Sequence, residues 1–256
     1  IQRTAERRFL RKAVRMDVAY LDVLSEAVNN PLRMLAGWFI VNGGSLKKLH
    51  RLIVTSAAYR QSSRGDAAKA RVDSDNRLLW RMSRTRLDAE SLRDAILSVS
   101  GEIDLAMGGP ADEHFAFKDD HSPVYDYAAF DPALAVGRRR SIYRFTVRSV
   151  PDPFFECMDG ADPSILTPKR NTTLTALQAL ALLNSPFAVH GAERLATRLR
   201  AARPDVAGQA EEASLLAPGR APSPAEAGEI ARHVEAHGLE SACRVILNMN
   251  EFIFID

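Results

Sequence analysis

The sequence predicts a mainly α-helical domain with one small β element near residues 141–148. Three observations predict it. Apolar residues recur at spacings of three or four through most of the chain, the period of an amphipathic helix. Strict alternation is clear only at Ser141–Arg148. Gly, Pro, Asn and Ser punctuate the chain at helix-length intervals. The 256 residues are 46% hydrophobic and 26% charged, enough to bury a core without a disulfide or a metal. The expected organisation is an N-terminal helix over 1–30, then a single helical domain over 31–256. An irregular, aromatic-rich insertion is expected at about 111–137.

Phe9, Ala13, Met16, Tyr20, Leu24 and Val28 mark the first helix, which Asn29-Asn30-Pro31 breaks. Pro31 opens a second helix to Val41. Asn42-Gly43-Gly44 is a turn, and Ser45 caps a third helix with Leu46, Leu49, Ile53 and Ala57 on one face. Residues 61–76 read as a surface loop. Asp88 caps the next helix, whose stripe is Leu92, Ala95, Ile96, Val99 and Ile103; Arg84, Arg86, Arg93 and Asp94 are placed to form ion pairs around it. The insertion carries Phe115, Phe117, Tyr125, Tyr127, Phe130 and His121. Those aromatics either stack a sugar or pin a long loop to the core.

In the alternating stretch, Tyr143, Phe145 and Val147 fall on one side and Ile142, Arg144, Thr146 and Arg148 on the other. Pro151 and Pro153 end it. A helix at 173–184, apolar nearly all round, is expected to be the central core helix, with Gln178 as a buried tether or site residue. Ser185-Pro186 starts the next helix. Residues 201–222 are weakly patterned. Ser223–Glu226 is a capping box, Gly238 a stop, and Leu239–Asn250 the last helix, followed by an extended tail.

Composition excludes several classes. With 34 Lys+Arg against 32 Asp+Glu, the chain lacks the strong basic excess of a general nucleic-acid binder. No run approaches the ~18 apolar residues of a transmembrane segment. Cys157 and Cys243 either pair or stand as buried thiols. No Cys/His cluster suggests zinc, and no C-x-x-C-H attaches a haem, so no cofactor is expected in this chain. Glu113-His114 and Asp119-Asp120-His121 would ligate a metal only if the fold joined them. P-loop, Rossmann, nucleophile-elbow and H-E-x-x-H motifs are absent.

The densest chemistry lies between Arg138 and Asn184. Arg139, Arg140, Arg144, Arg148 and Arg170, with Tyr143 and Gln178, form the candidate ligand-binding set, because guanidinium forks bind carboxylate, sulfate or phosphate. The same arginines can instead be neutralised internally by Asp152, Glu156, Asp159 and Asp162. Asp152, Glu156 and Asp162 are the candidate catalytic carboxylates, since glycoside hydrolysis needs a carboxyl pair.

The runs NGGSLKKLHRLIVTSAAYRQSS, NRLLWRMSRTRLDAESLRDAILSVSG, RRRSIYRFTVRSVPDPF, DPSILTPKRNTTLTALQALALLNSPF and HGLESACRVILNMNEFIFID resemble a planctomycete-specific domain of unknown function. The resemblance covers roughly residues 31–256, and residues 1–28 depart from it. It implies the C-terminal part of an exported protein, periplasmic or at the cell surface. The implied partners are the upstream domains of the same parent protein, including a cytochrome-c-like domain. Two functions follow as expectations. One is a non-catalytic binding or assembly module of the cell envelope, with acidic or sulfated polysaccharide as the ligand. The other is a carboxylate-based polysaccharide hydrolase or lyase.

Overall fold

A computed structural model describes residues 31–255, so the helix expected over 1–30 lies outside the described residues. The fold is mainly α, with two small antiparallel sheets among the described residues. The chain divides into two compact units, the first ending at Ser83 and the second beginning at Arg84.

In the first unit, α1 (Pro31–Val41) and α2 (Leu46–Thr55) are joined by Gly43 and Gly44, both at positive φ. The space around both is open, so it is the positive φ and not crowding that calls for glycine. Ser45 caps α2 through the Lys48 N–H, as expected. The expected loop at 61–76 contains α3 (Ala67–Val72), capped by Asp66. Its small residues gave the six-residue helix no apolar stripe to read. Trp80 Nε1 donates to the Asp73 carbonyl at 2.8 Å, closing the unit's last loop.

In the second unit, β1 (Thr85–Arg86) leads into α4 (Ala89–Ser100). Asp88 caps α4, and Gly101 at φ 79° ends it. A hairpin of β2 (Ala116–Lys118) and β3 (Val124–Asp126) follows within the expected irregular insertion. Then come α5 (Pro153–Cys157), α6 (Ala176–Asn184), α7 (Pro186–Ala202), α8 (Val206–Leu216), α9 (Pro224–His237), α10 (Leu239–Leu247), α11 (Asn250–Ile253) and β4 (Phe254–Ile255). The tail pairs antiparallel with β1, Arg86 opposite Phe254. The helix α8 was not legible because its buried face is Gln209, Ala210, Ala213 and Ser214, small or polar residues rather than large apolar ones.

The core is built by α4, α7 and α10. Leu92 and Ile96, Leu195 and Leu199, and Cys243 and Leu247 are essentially inaccessible. Each such leucine contributes about 1.5–3 kcal/mol by burial. Neither cysteine forms a disulfide, and burial pushes the Cys243 thiol up to about 12. Helices α4 and α7 pack tightly at Gly191, where an added Cβ would meet Ile96 Cγ2 at 2.5 Å. Ile96 is enclosed and cannot withdraw. Gly191→Val is therefore expected to cost roughly 1–3 kcal/mol through overpacking, read as a lower urea midpoint at unchanged m-value.

Two expectations are corrected here. The helix α6 is not the central core helix. Only Gln178 and Leu182 are buried on it, and Leu174, Leu177 and Leu180 nearby are exposed. Apolar composition marked it as a core element, but α7 takes that place because its buried positions are mostly small and let α4 approach. The stretch 141–148 is not a strand. Ser141–Tyr143 forms a 3-10 turn, and Arg144 makes only an isolated bridge to Asp112. Its burial follows the expected pattern only in part: Val147 is buried and Ile142 80% exposed, as the alternation implies, but the Arg144 side chain is buried and Phe145 is 42% exposed. The physical reason is that ion pairs and rings bury the arginine, with no sheet partner to impose a two-residue period.

Candidate functional site

The site begins on α4. Asp94 accepts the Ser141 N–H at 2.8 Å and the Ser141 hydroxyl at 2.7 Å, which docks the 3-10 turn on the helix. Next to it, Arg93 donates to the Gly137 carbonyl at 2.5 Å and the Arg139 carbonyl at 2.9 Å. Its carboxylate contact, to Asp94, is long at 3.4 Å. Burial and then the neighbouring Arg144 push the Arg93 guanidinium down to about 10, so it remains charged at neutral pH.

The docked turn places Arg144 beside it. Its main chain is held by the Asp112 bridge, with Asp112 N–H to the Tyr143 carbonyl and Phe145 N–H to the Asp112 carbonyl, each 2.8 Å. Arg144 donates from Nε to His114 Nδ1 at 3.0 Å and from Nη2 to Asp152 Oδ2 at 2.5 Å. Its guanidinium lies 3.9 Å above the Phe155 ring. The other oxygen of Asp152 caps α5 through the Phe154 and Phe155 N–H groups. One carboxylate thus fixes both the helix and the arginine. His114 stacks on Phe130 at 5.0 Å. Burial, then Arg93 and Arg144, hold it down to about 3. It is therefore neutral, and accepting at Nδ1 assigns its proton to Nε2.

These groups line a cavity of about 380 Å³. Tyr127, Phe130, Phe154, Phe155 and Phe187 form its aromatic wall, and Arg93, Arg144 and Asp152 are its charged groups. Two cations face one carboxylate, a net positive lining. A smaller cavity of about 190 Å³ lies on the other side of the Arg144–Asp152 pair, sharing Tyr127 and Phe155. Its volume is bordered by Glu90, Asp152, Glu156 and Asp162.

The expected binding residues separate. Arg144 is at the cavity. Arg139 is spent on Asp112 at 3.0 Å and on the Pro110 and Gly108 carbonyls, and it covers Tyr143 at 4.0 Å. Arg140 also lies against that ring, 5.6 Å from its centroid, with its Nε buried and unbonded. Tyr143 accepts the Gly108 N–H through its hydroxyl. Arg170 forks onto Glu90 on α4. Gln178 completes the capping box of α6 and donates to Asp159 at 3.1 Å, a tether as well as a cap. Arg148 is exposed. Arg148→Glu is expected to shift stability by no more than about 0.5 kcal/mol, checked by urea denaturation.

The three carboxylates do meet, around the smaller cavity, but on unequal terms. Asp152 is held by Arg144 and its cap. Asp162 is held below the usual carboxylate range by the Ser164 hydroxyl and N–H. Glu156 is exposed. Among the described residues, no three His, Cys, Asp or Glu side chains are placed to hold a metal, and no helix is long and apolar enough to cross a membrane. Sequence reasoning missed His114 as a partner of Arg144, Arg93 as a cavity residue, and the wall contributed by Phe154, Phe155 and Phe187. The one available signal for Arg93 was its place beside Leu92, at the edge of an apolar stripe.

No curated protein and no solved structure matches the chain. A family model described as PSD1, protein of unknown function (DUF1553), matches residues 27–234, which is most of the sequence. The chain therefore belongs to the PSD1 (DUF1553) family.

Proposed function

We propose that the second unit is a non-catalytic binding module whose ligand enters the aromatic cavity beside Arg144. The ligand is an acidic sugar unit of a polysaccharide. The observation that carries the reading is the lining itself: two buried arginines against one carboxylate, under a wall of five aromatic rings. Aromatic faces take a sugar ring, and Arg144, whose Nε and Nη2 are already engaged, retains Nη1 for an anionic oxygen. At about 380 Å³ the cavity lies within the ~300–1,000 Å³ range of small-ligand sites. The proposal moves the binding surface from a line of arginines to one cavity, because Arg139 and Arg170 are occupied internally. By resemblance alone, the module is taken to be exported with upstream domains that include a cytochrome-c-like domain.

The test is calorimetric titration of the chain with oligogalacturonate and with a neutral oligosaccharide of equal length. Binding of the acidic oligomer, weakened at least tenfold by Ala128→Trp, is expected. Ala128 is exposed on the cavity wall, so tryptophan obstructs the volume and leaves the charged groups in place. Equal binding by the variant, or none by the wild type, sinks the reading. A hydrolase or lyase is the second reading, favoured by the convergence of Asp152, Glu156 and Asp162 on the smaller cavity. Shortening of the bound oligomer, abolished by Glu156→Gln, would establish it in place of the first.

A further inference from the structure

The near-zero net charge of the chain hides an asymmetry. Between residues 31 and 83, ten Lys and Arg stand against three Asp, a net charge of +7. Residues 84–256 carry 18 Lys and Arg against 25 Asp and Glu, a net charge of −7. A basic part of an otherwise balanced chain marks a place where an anionic surface is met. Lys47, Lys48 and Arg51 are exposed on α2, and none of them has an ion-pair partner among the described residues. Lys47 and Arg51 stand four apart, a like-charge pair that costs the helix a little unless an anion lies over it.

The second observation is α1. Of its eleven residues, only Arg33 is charged. A helix apolar nearly all round is normally buried. An apolar run of about 10–14 residues is too short to span a bilayer, and reads either as a core helix or as a segment lying in the interface. The first alternative does not hold for α1. Leu35, Trp38 and Phe39 are half-buried, while Leu32, Ile40 and Val41 are 77%, 60% and 80% exposed. Among the described residues of this unit, Ser63 and Asn76 are buried and no apolar residue is. The unit therefore has no closed apolar core, and its most apolar helix lies open within a strongly basic segment.

We propose that the first unit docks on the surface of an anionic lipid bilayer, with α1 lying in the interface. Leu32, Ala36 and Ile40, each four apart and all exposed, form the stripe that enters the boundary between headgroups and acyl chains. Trp38 suits that depth, with its apolar body and polar N–H. The Lys and Arg side chains of the unit reach the headgroups on their long apolar stems. A dissolved polyanion would answer the cations but leave Leu32, Ile40 and Val41 in water. A lipid surface of negative charge accounts for both. The proposal does not depend on the polysaccharide reading, which concerns the second unit.

The test is co-sedimentation of the full chain with vesicles of equal parts phosphatidylglycerol and phosphatidylcholine, against vesicles of phosphatidylcholine alone. Binding at least tenfold tighter to the anionic vesicles is expected, falling as salt screens the cations. Two variants divide the contributions. Ile40→Ser/Val41→Ser removes apolar contact, and Lys47→Gln/Lys48→Gln/Arg51→Gln removes charge, all at exposed positions. Each should weaken binding at least tenfold and leave the helix content, read by circular dichroism, unchanged. Equal binding to the neutral vesicles, or binding to neither, would overturn the proposal; in the second case protein rather than lipid covers α1. Binding undiminished by the charge variant would overturn it too. So would binding undiminished by Ile40→Ser/Val41→Ser, which would identify a polyanion site that dextran sulfate fills equally well.

Discussion

Arg144→Leu is expected to lower the unfolding free energy by about 3–5 kcal/mol, the range for breaking a buried ion pair from one side. The reason is what the arginine leaves behind rather than the pair's own worth. Its side chain is 7% exposed and that of Asp152 is 18% exposed, so the stranded carboxylate oxygen gains little water in exchange. His114 Nδ1 loses its donor at the same time. One effect opposes the loss: Arg93 is relieved of a neighbouring charge. That relief is smaller, because Arg93 keeps its bonds to the Gly137 and Arg139 carbonyls. The double variant Arg144→Leu/Asp152→Asn should recover part of the stability, since asparagine still caps α5 and carries no stranded charge. Urea denaturation of the two single variants and the double one gives the coupling directly. A loss below about 1 kcal/mol for Arg144→Leu would mean the pair is solvated and behaves as a surface pair.

The same residue shows how far the sequence could be read. Helix ends were legible because capping is local: Asp88, Ser185 with Pro186, Ser223 with Glu226, and Gly238 act where short-range chemistry places them. Arg144 and Asp152 were legible as chemistry, being eight residues apart in a charged stretch. The cavity was not. Its histidine lies 30 residues before Arg144, and Arg93 reaches the Arg139 carbonyl across 46 residues. Alternation at 141–148 looked the same whether a sheet or an ion pair would bury alternate side chains. Likewise, the leucines of α6 have core composition, yet Leu177 is 69% exposed. Hydrophobic pattern states which residues can be buried, while packing partners decide which are.

Lowering the pH from 6.5 to 4.5 is expected to remove about 2 kcal/mol of stability through His114 alone. The sign follows from its surroundings. Burial, Arg93 and Arg144 hold the folded imidazole down to about 3, whereas the unfolded chain releases its proton near the ordinary value of 6.5. Between those values the unfolded state binds the proton and the folded state does not. Stability from this group is therefore complete above about pH 6.5 and falls as the pH drops toward 3, by about 5 kcal/mol in all. Carboxylates act in the same direction but later. Glu240, held down by Arg200, and Glu226, held down by Arg220, begin to matter only below about pH 4.5, near the ordinary glutamate value. The interval from 6.5 to 4.5 thus separates the histidine from the acids. His114→Asn tests the assignment, because the Asn Oδ1 can replace Nδ1 as the acceptor for Arg144 Nε and cannot titrate. The variant should be less stable at pH 7, having lost the Phe130 stack, but flatter across the interval. If the wild type and the variant lose stability in parallel between pH 6.5 and 4.5, His114 is charged in the fold. The cationic lining of the cavity would then be larger by one.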